Sequence, residues 1–359
     1  MKTITLSIDK RMFLIAAIIF LAALSSGRAR AVVTGQCSNC HTMHYSQGGT
    51  QLSGWGSDGP YQSLTINNCV GCHSATDGAT WRDSVTGAPI VYNAAEPSYN
   101  TQRGLAAGNF YYVTQDQSKG HNVTVVPGVS QDTNFSSTPG WSGEINGCAA
   151  CHGGSNMVLA KCIFCHNAKS AHHADDSTTV VDQTGGYYRF LSFSAFHPSS
   201  FQESLGFSGV KGIEDPNWEK NPTSTAHNEY CGSQDGNFNT IDNGISDYCS
   251  CCHPKFHGST DTGGSSPWLR HPAYIALPNS GEYASYTIYN PQAPVARDPA
   301  TLAGMAAPSE TVTPGSDQVS CISCHRAHGT PYPDILRWDY TSTTHAAANE
   351  GCVVCHTQK

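Results

Sequence analysis

Long hydrophobic runs are almost missing from this 359-residue chain. The one present, Met12–Leu24, has thirteen residues, short of the roughly 20 that a membrane-spanning helix needs. It follows Lys2, Lys10 and Arg11 and precedes Ala29-Arg30-Ala31, so residues 1–31 read as a secretory signal peptide. The first cysteine, Cys37 in Thr-Gly-Gln-Cys, is out of place for a lipoprotein signal. Positive charge is also scarce. Without the signal, which holds five basic residues and Asp9, 14 Lys and Arg face 26 Asp and Glu, a formal net charge of −12. That balance speaks against nucleic acid or an anionic membrane as partner. Apolar residues make up only 38% of the chain against 35 Gly and 19 Pro, and no stretch keeps a period of 3.6 or 2. An ordinary sheet-and-helix core is thereby excluded, and something other than side chains must supply the apolar interior.

Cysteine and histidine, by contrast, are abundant at 16 and 17. Fourteen cysteines fall into seven Cys-x-x-Cys-His units. The first comprises Cys37, Cys40 and His41, the second Cys69, Cys72 and His73, and the third Cys148, Cys151 and His152. Cys162, Cys165 and His166 form the fourth, and Cys249, Cys252 and His253 the fifth. The sixth has Cys321, Cys324 and His325, and the seventh Cys352, Cys355 and His356. This is the signature of covalent c-type heme attachment. Two thioethers grip one porphyrin edge, and the adjacent histidine reaches the iron from one face. A zinc ribbon needs pairs of Cys-x-x-Cys but no trailing histidine. The expected cofactor is heme c, seven copies, with His41, His73, His152, His166, His253, His325 and His356 as proximal ligands.

The mature chain keeps only Met43, Met157 and Met305, too few to be the general sixth ligand, so bis-histidine coordination is expected. Distal candidates are His44, His121, His172, His173, His227, His257, His271, His328 and His345; His197, in Phe-His-Pro, reads as structural or ligand. Of His172 and His173, one is read as a ligand. His44 and His328 follow their proximal histidines by three residues. Residues so spaced share a helical face, so neither can reach the opposite side of its own unit's iron. If either binds iron it binds a different heme, which forces the two rings into proximity; the alternative is a solvent-facing histidine. Cys231 and Cys251 remain. An exported chain would pair them in a disulfide, or Cys251, lying inside the fifth unit, would compete for that unit's heme.

Units one and two, and again six and seven, are about thirty residues apart, and both pairs open with the His-x-x-His form. The expected organisation is a signal over 1–31, an N-terminal diheme module over 32–135 and a close heme pair over 136–180. A single-heme segment over 181–300 and a C-terminal diheme module over 301–359 complete it. The expected fold class is mostly irregular coil with short helices and few small hairpins, an elongated multiheme cytochrome c with a heme core.

Six segments in order, Cys37–Gly49, Lys119–Val123, Tyr248–Gly258, Leu269–Pro272, Cys321–His328 and Cys352–His356, carry a resemblance. They resemble the outer-surface multiheme c-type cytochromes of metal-reducing bacteria, most closely a filament-forming hexaheme type. The resemblance implies bis-His hemes in a continuous chain and a homopolymer in which His44 ligates a heme of the next subunit, at the unit holding His325. It also implies electron export at the cell surface to metal oxides or other redox proteins. The close third and fourth units depart from the hexaheme pattern. A monomeric periplasmic shuttle is the second reading. A multiheme oxidoreductase is the third, although no Cys-x-x-Cys-Lys variant marks an open iron.

Overall fold

The computed structural model describes residues 69–134, 138–140, 162, 165–166, 187–192, 209–233, 243–250, 252–256, 271–340 and 351–358. The longest α-helix among them, Ile245–Ser250, has six residues. Helix Pro299–Ala303 shows why such short pieces form: Asp298 caps it by accepting from the backbone N–H groups of Ala300 and Thr301, and Pro299 presets its first turn. Gly304 then ends it. No helix of the described residues is long and apolar enough to cross a membrane.

Sheet structure is equally sparse, as expected, but its pairings join distant segments. Strands β1 (Ser74–Ala75) and β2 (Tyr92–Asn93) run parallel. Strand β4 (Glu229–Cys231) lies between antiparallel β3 (Gly212–Ile213) and parallel β5 (Ala296–Arg297). The β4–β5 contact is fixed by a buried ionic knot. The Arg297 guanidinium donates to both Glu229 oxygens at 2.6 and 3.0 Å, to Asp317 at 2.7 Å and to the carbonyls of Thr311 and Ser309. All five of its N–H donors are thus used.

The apolar residues gather in small clusters, three of them seated against an attachment turn. Val70 of the second unit joins Phe110, Val113, Val123, Val126 and Val129, with Cys162 packed alongside. Ile322 of the sixth unit lies on the cluster of Tyr188, Val210, Tyr230, Ile245 and Ala296. Val354 and Cys355 of the seventh lie on Leu277, Tyr286, Tyr289, Val295 and Val312. Side-chain packing therefore holds three of the Cys-x-x-Cys-His turns, while Ile213, Cys231 and Leu302 form a fourth cluster away from them.

Candidate heme centres

Five attachment units have both cysteines and the histidine within the described residues, and they fold alike. In each, the histidine N–H donates to the carbonyl of the first cysteine four residues back: His73 to Cys69 at 3.0 Å, His166 to Cys162 at 2.9 Å, His253 to Cys249 at 3.0 Å, His325 to Cys321 at 3.1 Å and His356 to Cys352 at 2.9 Å. The second cysteine tightens the turn in three of them. The N–H groups of Cys72, Cys165 and Cys252 donate to the carbonyls of Cys69, Cys162 and Cys249, each at 3.1 Å. One helical turn thus carries both sulfurs and the imidazole. In the sixth unit the turn is locked further, since the Ser320 N–H donates to Ser323 Oγ at 3.0 Å. Two units expected from the sequence fall outside the described residues: the first, with Cys37, Cys40 and His41, and the third, with Cys148, Cys151 and His152.

The rings are oriented through Nδ1. His73 bonds the Pro89 carbonyl, His166 that of Arg189 and His253 that of Pro139, each at 2.8 Å. His325 bonds the Asp334 carbonyl at 2.9 Å, and His356 bonds a Glu282 carboxylate oxygen at 3.1 Å. Such a bond fixes the tautomer and leaves Nε2 free for a metal. Two of the acceptors recur as a pair. Arg189 and Asp334 are non-glycine residues with φ of 47° and 57°, each followed by another left-handed residue. Leu191 and Leu336 then bridge back to His166 and His325. This repeated turn was invisible in the sequence, because its working atom is a backbone carbonyl and its side chains differ. Glu282, in an undistinguished connector, was likewise missed.

Three distal candidates face proximal histidines of other units. Ring centroids are 6.1 Å apart for His121 and His253, 6.0 Å for His166 and His328 and 6.3 Å for His271 and His356. Metal–imidazole bonds of about 2.0 Å with ring radii of about 1.1 Å put two trans imidazoles roughly 6.2 Å apart. The residues present therefore fit a six-coordinate heme iron. Burial depresses the basicity of these rings. His253 is pushed down to about 4, with His121 beside it adding to the effect. His328 is pushed down to about 3 by burial and then by His166, His121 and His73. Burial also lowers His73, His121, His166 and His325. They stay neutral at physiological pH, the form that binds a metal.

His121 and His328 are held by one irregular knot. His121 Nδ1 bonds the Ala327 carbonyl at 2.8 Å, the His328 N–H donates to Ala107 at 2.7 Å, and the Asn109 N–H donates to Gly329 at 2.8 Å. Gly108, at φ 87°, sits where a Cβ would run into the Gly329 carbonyl. The Phe110 ring stacks on His328 at 4.7 Å.

His227 does not fit the same pattern. It is fully buried, its Nδ1 bonds the Thr223 carbonyl at 3.0 Å and its Nε2 bonds Glu229 at 3.1 Å. Its face stacks on Tyr289 at 3.5 Å. Neither nitrogen is left for a metal, and the ring belongs to the Arg297 knot. His44, His172, His173, His197, His257, His345 and Cys251 lie outside the described residues. Among the described residues no second imidazole is paired with His73 or His325, and no group of three metal-ligating side chains is assembled.

The cysteines also meet between units. Cys69 lies beside Cys162, and Cys249 beside Cys321. Cys165 and Cys249, and Cys324 and Cys355, are close enough for their charges to interact.

The family described as the doubled CXXCH motif matches residues 30–78 and 313–359. With the attachment turns, that match makes the chain similar to multiheme c-type cytochromes. The chain is similar to the C-type cytochrome OmcS of Geobacter sulfurreducens, at 24% identity over 88% of this chain and 81% of that one. A cryo-EM structure of the OmcS nanowires from that organism shares the fold at a TM-score of 0.53 and 19% identity, covering 87% of this chain and 85% of the other.

Proposed function

We propose that this chain is an exported electron conduit in which seven covalently attached bis-His hemes form one continuous path. The observation that carries the reading is the crossing of ligands between units. His328 of the sixth unit stands opposite His166 of the fourth, at 6.0 Å, so one short segment serves two neighbouring hemes. The packing of Cys162 against the cluster that holds Val70 of the second unit supports adjacency of the second and fourth units. Rings held this close need no substrate pocket. The protein binds them, orients their ligands and excludes water, while heme supplies the one-electron chemistry. Thioether attachment through Cys69 and Cys72, Cys162 and Cys165, Cys249 and Cys252, Cys321 and Cys324, and Cys352 and Cys355 belongs to the proposal. So does attachment of two further hemes through Cys37 and Cys40 and through Cys148 and Cys151, on the strength of their spacing alone. The distal set favoured here is His121, His271 and His328, with His44, His172 or His173, His257 and His345 for the remaining irons; His227 is withdrawn from it. An electron carrier, rather than an oxidoreductase with an open iron, is the reading this supply of imidazoles supports.

Polymerisation is part of the proposal. The similar OmcS protein forms nanowires, and a head-to-tail contact in which His44 of one copy faces His325 of the next would continue the path between subunits. Metal oxides and other redox proteins outside the cell are the acceptors such a filament would serve. Electron microscopy of secreted material from wild-type and His44→Ala cells tests it: filaments in the first and monomers in the second are expected. Monomeric wild type, or intact filaments in the variant, would overturn the role of His44. Optical and EPR spectra low-spin for every heme are expected, and a high-spin ferric signal that binds cyanide would return the oxidoreductase reading.

A further inference from the structure

Seven of the described histidines of the centres have Nδ1 hydrogen-bonded, and six of those bonds go to neutral backbone carbonyls. His356 differs. Its Nδ1 lies 3.1 Å from Glu282 Oε1, with both side chains largely buried at 22% and 16% exposure. The carboxylate is fixed from the other side, because the Gln358 N–H lies 3.4 Å from Glu282 Oε2 and the Thr357 hydroxyl donates to the Glu282 carbonyl at 2.5 Å. The short turn Gly281–Ser285 presents it, and Tyr283 meets the His356 ring edge-on at 5.1 Å. His328 marks the opposite extreme: none of the described residues bonds its Nδ1, and Phe110 stacking holds its plane.

We propose that Glu282 is a positioning residue that makes the iron between His271 and His356 the lowest-potential of the centres so paired; this rests on the ligand reading above. A carboxylate accepting the Nδ1 proton draws it away from the ring and gives the imidazole partial imidazolate character, making it a stronger donor. A stronger axial donor stabilises ferric over ferrous iron and lowers the potential. A carbonyl does this weakly and a stacked phenyl ring not at all. Of the three centres, the one at the seventh unit is then the donor, and a single electron passes downhill from it to the other two.

The test uses the full heme-loaded protein. Glu282→Gln keeps an oxygen acceptor and removes the charge. In an optical redox titration, one heme is expected to shift about tenfold toward its reduced form relative to its neighbours, about 59 mV for a one-electron couple. One near-infrared charge-transfer band in magnetic circular dichroism should move with it, while heme content and low-spin state stay unchanged. Glu282→Ala should move the same heme the same way at least as far. A titration curve that superimposes on wild type at full heme loading, for either variant, overturns the proposal. A merely structural Glu282 would instead lower stability or heme loading without moving that one potential. His271→Ala separates the two claims, since it should create one high-spin heme whatever Glu282 does. If it stays fully low-spin, the ligand reading fails; if it turns high-spin while Glu282→Gln moves nothing, only the role of Glu282 fails.

Discussion

The imidazoles of His166 and His328 face each other with centroids 6.0 Å apart and planes crossed at 59°, although they belong to different attachment units. On the proposed ligation, removing His328 should damage the heme of the Cys162 and Cys165 unit and spare that of the Cys321 and Cys324 unit. EPR of His328→Ala is expected to show one high-spin ferric heme. Exogenous imidazole should convert it back, and proteolytic mapping should find all hemes still attached. A fully low-spin variant would remove His328 from the ligand set.

Gly108 sets the position of that ligand indirectly. At φ 87°, with the Gly329 carbonyl in the way of any Cβ, Gly108→Ala combines left-handed strain with a backbone clash. A loss of about 1–3 kcal/mol is expected in chemical denaturation. The damage should be local, so the high-spin signal of His328→Ala should reappear in part.

His227 gives the opposite expectation. Both its nitrogens are bonded, to Thr223 and Glu229. His227→Gln should leave every heme low-spin while the thermal midpoint falls. A new high-spin signal would reinstate it as a ligand.

The Arg297 knot gives a stability prediction. Glu229→Gln leaves a buried guanidinium with half of its compensation, and a loss approaching about 3–5 kcal/mol is expected. Burial opposes ionisation of Glu229, yet bonds from His227 and Arg297 hold its pKa below the ordinary 4.5. A carboxyl so depressed contributes stability above about pH 4.5 and loses it as pH falls through the folded value. Asp317, raised by burial, offsets part of this. Wild type should thus lose more stability between pH 5 and pH 3 than Glu229→Gln does, as urea titrations at the two values would read.

Cofactor chemistry was legible in the sequence because it is written in side chains at fixed spacing. The attachment turns follow from Cys-x-x-Cys-His, and the scarcity of regular structure from the low apolar content and the many Gly and Pro. The pairing of His121 with His253, and of His271 with His356, was not legible, since spacing along the chain says nothing about which loops return to which turn. Nor were the Nδ1 partners. The carbonyls of Pro89, Pro139, Arg189 and Asp334 carry no residue-type signal, and β4 meets β5 across a separation that no local pattern encodes. His227 looked like a spare ligand in sequence and is instead absorbed by a charge cluster whose members, Glu229, Arg297 and Asp317, lie far apart in the chain.

The anchoring of His73, His166, His253 and His325 by main-chain oxygens has a consequence for drift and design. A substitution replaces a side chain but cannot delete a carbonyl, so the connectors can change composition freely while the ring orientations are inherited through backbone path alone. Grafting a foreign loop onto this chain thus becomes a question of where its peptide planes point, with its residue identities left open.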